Sequence, residues 1–186
     1  LLNKSKSRHI GRLLLYNQLW KGGEDMTEVK IKMNGQKRIA LIAHDHLKDD
    51  LVKWCEKNKD MLKGHFLCGT GTTSRLISES TGLPVKALKS GPLGGDQQVG
   101  SRIAEGEIDM LIFFSDPLEA QPHDPDIKAL LRIATVYDIP VANNRATADF
   151  LITSKFMNGE YEHTLMDYKK MTEKRVESIY KEMTHK

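Results

Sequence analysis

The sequence predicts an α/β fold: a single-domain, open three-layer sandwich with a mostly parallel five-stranded sheet and helices on both faces. Three observations predict it. From residue 38 onward, short β-branched or aliphatic runs alternate with stretches of helical periodicity, the pattern of parallel strands joined by crossover helices. Each strand-like run empties into a polar, mostly glycine-containing loop. A length of 186 residues, with 39% hydrophobic and 28% charged content, suits one globular core.

Residues 39–43 read as the first, buried strand. A helix over residues 47–62 follows, with Leu51, Val52, Cys55 and Met61 on its apolar side and a dense lysine and acid face outward. Residues 65–68 make the second strand, 73–81 a helix ending near Gly82, and 85–88 the third strand. The helix over residues 96–105 stops at Gly106, where glycine accepts a left-handed backbone. Met110-Leu111-Ile112-Phe113-Phe114 is the most hydrophobic run and so reads as the central strand. Residues 127–137 form an amphipathic helix, 141–142 a short strand and 146–152 a short helix. In the tail, Leu165, Tyr168, Val176, Ile179 and Met183 recur at helical spacing, so residues 164–183 should dock as a final helix.

Residues 1–25 read as a leader outside the fold, 26–37 as a strand-like lead-in and 38–183 as the domain. Nine Lys or Arg and three Asp or Glu fall in residues 1–38, against 19 and 22 in the remainder. The net charge of +3 therefore comes from the leader, which removes the general case for a nucleic-acid surface on the body. Gly22-Gly23-Glu24-Asp25 can be encoded by a purine-rich stretch like a ribosome-binding site, so Met26 is expected to be the native start. A basic targeting peptide is the alternative. No apolar run approaches the ~20 residues of a membrane span, and the run around Leu13-Leu14-Leu15 is too short for a secretory signal. The chain reads as cytoplasmic. Cys55 and Cys68 lack C-x-x-C spacing and read as small core residues.

Ligands of open α/β sheets bind beyond the carboxyl ends of the strands, so the loops carry the chemistry. Ser90-Gly91-Pro92-Leu93-Gly94-Gly95-Asp96 packs three glycines, a proline and one carboxylate into a turn that opens a helix. Such a turn can hold an anion against helix-opening N–H groups with a base beside it. Alternatively its glycines only make the turn and Asp96 only caps the helix. Thr70-Gly71-Thr72-Thr73 combines hydroxyls with amides at a helix start, which suits a phosphate; ordinary capping by Thr70 or Thr72 is the other reading. A nicotinamide cofactor is discounted, because Ser74 replaces the third glycine of the dinucleotide fingerprint and no acidic residue ends a following strand at the expected distance. His44 and His46 would share a face of an extended chain, so with His123 and Asp126 they could build a metal site. Lys48 and the threonines can instead serve an anion without metal.

Taken together, His44-Asp45-His46 with Lys48, Thr70-Gly71-Thr72-Thr73, the stretch from Ser90 to Gly100, Phe113-Phe114-Ser115-Asp116-Pro117-Leu118 and Pro122-His123-Asp124-Pro125-Asp126 resemble the motifs of the methylglyoxal synthase family, in the same order and at similar spacing. The resemblance covers residues 38–154 closely and the tail to about Arg175 loosely. It implies a lyase that converts dihydroxyacetone phosphate to methylglyoxal and inorganic phosphate, without a metal or organic cofactor. By the same resemblance Asp96 is the base and His123 the histidine that contacts the substrate oxygens and moves protons between them. His44 becomes a further substrate contact. Lys48, Thr70, Gly71, Thr72, Thr73, Ser90 and Gly91 correspond to the phosphate and substrate cradle. Asp116 and Asp126 correspond to supporting carboxylates that orient the imidazoles, and Arg175 is the candidate for the family's phosphate-binding arginine. The implied partners are a phosphorylated small molecule, inorganic phosphate as product and inhibitor, and further copies of the chain in a homohexamer, with no nucleic acid and no membrane. A regulatory ligand-binding module of the same fold and a metal-dependent hydrolase remain the alternatives.

Overall fold

The computed structural model describes residues 28–120 and 122–184; the leader over residues 1–25 and the start expected at Met26 lie outside the described residues. Two compact units divide the chain, Lys32–His163 and a second that takes the residues up to Ile31 and from Thr164 onward. The domain expected over residues 38–183 thus compares with a unit that ends at His163.

In chain order the elements are β1 (Glu28–Met33), β2 (Arg38–Ala43), a 3-10 turn (Asp45–Leu47), α1 (Lys48–Lys57), α2 (Lys59–Leu62), β3 (Phe66–Thr70), α3 (Gly71–Thr81) and β4 (Val85–Leu88). A second 3-10 turn (Gly91–Leu93), α4 (Gly95–Ala104), β5 (Met110–Phe114), α5 (Asp124–Val136), β6 (Val141–Ala142), α6 (Arg145–Ile152), β7 (Tyr161–Met166) and α7 (Tyr168–Thr184) follow. The main sheet runs β4-β3-β2-β5-β6, and every pairing in it is parallel. β1 and β7 pair in a separate two-stranded sheet.

Side chains alternate across a strand, so β2 and β5 each feed two cores. Ile39, Leu41, Met110, Ile112 and Phe114 meet Leu51, Trp54 and Cys55 of α1, Ile77 of α3 and Ile152 of α6 on one face. Ala40, Ile42, Leu111 and Phe113 meet Val99 and Ile103 of α4 and Leu130 of α5 on the other. Two helical layers therefore sandwich the sheet, as the period of the pattern required. Trp54 is fully buried, and its indole N–H is satisfied by Asp149 at 2.8 Å.

Three expectations change. The central strand is β2 rather than β5, which has β2 on one side and β6 on the other; both are buried on both faces, so hydropathy cannot rank them. The helix over residues 47–62 breaks at Asn58, whose side-chain amide donates to the Trp54 carbonyl at 2.8 Å and competes with the helical ladder. A strand, β7, occupies Tyr161–Met166, so the last helix begins only at Tyr168. None of the residues of α7, which lies in the second unit, is buried. No helix among the described residues is long and apolar enough to cross a membrane.

Candidate active site

Because the strands are parallel, all their carboxyl ends meet at one edge, and there the connections enclose a cavity of about 220 Å³. It lies where the chain order reverses: β3 follows β2 on one side while β5 lies on the other, the crevice position of open α/β sheets. Ile42, Ala43 and Phe113 contribute apolar wall at the ends of β2 and β5. His44, Asp45 and Lys48 arrive after β2, Thr70, Thr72 and Thr73 at the end of β3, Ser90, Gly91, Pro92 and Asp96 after β4, and His123 after β5.

The glycine-rich turn sets Asp96. Within it, Leu93 N–H and Gly95 N–H both donate to the Ser90 carbonyl, at 3.0 and 2.9 Å, and Gly94 adopts φ +89°. A Cβ on Gly95 would stand 2.1 Å from the Lys89 carbonyl oxygen, so the chain can double back only with glycine there. Asp96 consequently starts α4 facing inward, only 2% exposed, with Oδ2 buried and unpartnered. It does not cap the helix: the N-cap position is Gly94, and no side chain caps it. Burial is the main cause that lifts its carboxyl above the ordinary carboxylate value; Asp126 adds to the rise, while His123 and His44 oppose it. His123 Nε2 stands 3.6 Å from Asp96 Oδ2. A Cβ on Gly91 would lie 2.6 Å from His123 Nε2 and 3.0 Å from Asp96 Oδ2, so the bare Gly91 backbone forms the wall beside both groups.

His44 is buried against the perpendicular ring of Phe113, with centroids 5.1 Å apart. Its Nδ1 accepts the Asp116 main-chain N–H at 2.9 Å, and its Nε2 is buried without a partner. The 3-10 turn after β2 breaks the alternation expected of an extended chain, so His44 and His46 part. The His46 ring is 72% exposed and meets Glu119 Oε1 at 3.1 Å. Among the described residues no group of three His, Cys, Asp or Glu side chains is arranged to hold a metal ion.

The opposite wall is rich in donors. Thr70 takes the N-cap position of α3 without making a side-chain cap, and Thr73 Oγ1 is buried and unpartnered. Gly71 N–H is taken by the Lys89 carbonyl at 3.2 Å, whereas the next amides of a helix start have no intrahelical acceptor. Lys48 Nζ lies 2.5 Å from Asp45 Oδ1 and holds that carboxyl below the usual range. Hydroxyls, helix-opening amides and an ammonium around one small cavity make a cradle for a compact anion, with a buried base on the far side.

Comparison with known proteins gives this arrangement its family. The MGS-like domain matches residues 50–143. The methylglyoxal synthase of Clostridium acetobutylicum is 58% identical over 136 residues, which cover 73% of this chain and 94% of that protein. The methylglyoxal synthase of Aliivibrio fischeri is likewise 58% identical over 136 residues, covering 73% and 90%. The chain belongs to the methylglyoxal synthase family. A crystal structure of methylglyoxal synthase from Elizabethkingia anophelis NUHP1 is also similar, with a TM-score of 0.72 and 52% identity, over 75% of this chain and 92% of that one.

Of the residues that the methylglyoxal synthase resemblance singled out, His44, Lys48, Thr70, Thr72, Thr73, Ser90, Gly91, Asp96 and His123 line one cavity. Gly71 stands behind the lining, where a Cβ would press on Ser90 at 3.0 Å. Asp116 reaches His44 through its main chain, while its carboxylate accepts Leu118 N–H at 2.9 Å. Asp126 accepts a hydrogen bond from Gln97 Nε2 at 3.1 Å and stays outside the lining. Arg175 is an exposed residue of α7, in the second compact unit. Five lining residues escaped sequence reasoning as site members: Asp45, Pro92 and Phe113, inside motifs but credited to no role, and Ile42 and Ala43, read only as buried strand. Their position at strand ends was the available signal.

Proposed function

We propose that the chain converts dihydroxyacetone phosphate to methylglyoxal and inorganic phosphate through an enediolate, with Asp96 as the base. The observation that carries this reading is a buried carboxylate with an unpartnered oxygen, 3.6 Å from an imidazole, in a cavity otherwise walled by anion donors. Family membership supports the same reaction.

Asp96 Oδ2 takes a proton from the hydroxymethyl carbon, alpha to the ketone, and the electron pair left behind places negative charge on the ketone oxygen. His123 and His44 supply donors where that charge develops. His123 then carries the hydroxyl proton of the deprotonated carbon to the former ketone oxygen, and the enediolate expels phosphate from the third carbon: the freed oxygen's electron pair closes the aldehyde C=O, the carbon–carbon pair shifts to a double bond with the third carbon as its C–O bond breaks, and phosphate leaves onto Lys48 and the threonine loop. The resulting enol takes a proton at its terminal carbon and releases its hydroxyl proton to become methylglyoxal. A carboxyl whose value is raised by burial is better matched to proton abstraction near neutrality than an exposed one. Elimination requires the C–O bond to stand roughly perpendicular to the enediolate plane, so the cradle sets the outcome as well as affinity.

The test is an assay of phosphate release and methylglyoxal formation from dihydroxyacetone phosphate, with and without a chelator. Equal product in both is expected; no product in either overturns the reading, and product lost only with chelator favours the metal-dependent hydrolase. Free phosphate, fitting the same cradle, should inhibit in competition with substrate. Sedimentation tests the homohexamer that the resemblance implies, and cell fractionation its cytoplasmic location.

A further inference from the structure

The two histidines of the cavity are held in different ways. A main-chain amide can only donate, so the His44 nitrogen that faces Asp116 N–H at 2.9 Å carries a lone pair and no proton. Turning the ring over would set a carbon against that amide and forfeit the bond. The remaining nitrogen, Nε2, then bears the proton, and it is buried, unpartnered and part of a residue that lines the cavity. Perpendicular contact with Phe113 at 5.1 Å fixes the ring plane. His123 has no such tether: its Nδ1 is unpartnered and its Nε2 faces the Asp96 carboxylate at 3.6 Å.

We infer that His44 is a fixed-tautomer hydrogen-bond donor, presenting Nε2–H to the substrate oxygen that becomes anionic, with the Asp116 main chain and the Phe113 ring as its positioning groups. Proton movement between the substrate oxygens is left to His123. A neutral imidazole locked in this way stabilises the developing oxyanion without changing its own protonation during the reaction. The assignment rests on the proposed lyase reading for its catalytic meaning, while the tautomer itself rests on His44, Asp116 and Phe113 alone.

Nitrogen-15 NMR of the full chain labelled at histidine, with the His44 signals assigned by their loss in His44→Gln, tests the tautomer directly. A lone-pair shift at Nδ1 and a protonated Nε2 at neutral pH are expected; a protonated Nδ1 or an averaged pair of shifts overturns the inference. Kinetics test the role. Glutamine keeps an N–H donor but cannot relay protons, so His44→Gln should turn over about 100-fold faster than His44→Ala, the scale of one oxyanion donor; equal loss in both variants overturns it. Phe113→Leu should lower kcat about fivefold with little change in KM, and an unchanged kcat removes Phe113 from the positioning role. If the wild type makes no product, the function reading fails and the NMR result still decides the tautomer.

Discussion

At the amino edge of the five-stranded sheet, Asp109 accepts three hydrogen bonds from Arg38, at 2.7, 2.9 and 2.5 Å, and the buried Lys37 ammonium is held by the carbonyls of Asn34 and Gly159. The carboxyl edge of the same strands treats its buried polar atoms the other way: Asp96 Oδ2, His44 Nε2, Thr73 Oγ1 and His123 Nδ1 have no partner. Among the described residues the amino edge leaves two such atoms, His65 Nε2, on a ring whose other nitrogen accepts Lys37 N–H at 3.0 Å, and His163 Nε2, on a ring whose Nδ1 lies 2.9 Å from Asp138 Oδ2. A buried unpaired polar group costs about 1–3 kcal/mol. Concentrating that cost at one edge makes sense where a ligand completes the missing bonds, so the comparison separates an edge built for stability from an edge built for binding.

The largest expected effect breaks the carboxyl edge chemically. Asp96→Asn should lower turnover by about 10³- to 10⁴-fold while calorimetry still detects phosphate binding; retained activity removes Asp96 from the base role. Next, Gly91→Ala would push a methyl between His123 and Asp96, and kcat should fall about 100-fold with only a small change in melting temperature. Unchanged kinetics would show that this wall tolerates a side chain.

At the amino edge the outcome should reverse. Asp109→Ala leaves Arg38 without its carboxylate and should lower unfolding free energy by about 1–3 kcal/mol, read by urea denaturation, with kcat within twofold of wild type. A rate loss there would mean that the two edges are coupled. The smallest effect links activity to stability. Burial raises the folded-state value of Asp96 above its unfolded one, so the ionised carboxyl opposes folding at neutral pH and is relieved as pH falls through the raised value. Asp96→Asn should therefore be more stable than wild type by about 1 kcal/mol at pH 7, and the gap should close toward pH 4. The acid limb of kcat/KM in the wild type should lie above the ordinary carboxylate value of 3.8.

Much of this was legible in the residues because the relevant physics is local. The unbroken apolar runs at residues 39–43 and 110–114 announce strands buried on both faces, and the observed β2 and β5 feed both cores accordingly. Three glycines ahead of Asp96 announce a turn too tight for side chains, and the Gly95 contact with Lys89 shows why. The loops after successive strands could be expected to converge, since parallel strands send all their carboxyl ends to one edge.

What the sequence by itself determined was therefore the set of elements, their layering and the residue types delivered to one rim. Tertiary structure decided the rest. Strand order depends on the direction in which each crossover turns, so β2, with two alanines, could take the centre that hydropathy assigned to β5. The parting of His44 from His46 follows from a 3-10 turn packed under the 115–120 segment, where Asp116 holds one ring and Glu119 the other. Only the packed fold could leave Asp96 buried and unpartnered, because desolvation and the distance to His123 belong to groups 27 residues apart in the chain.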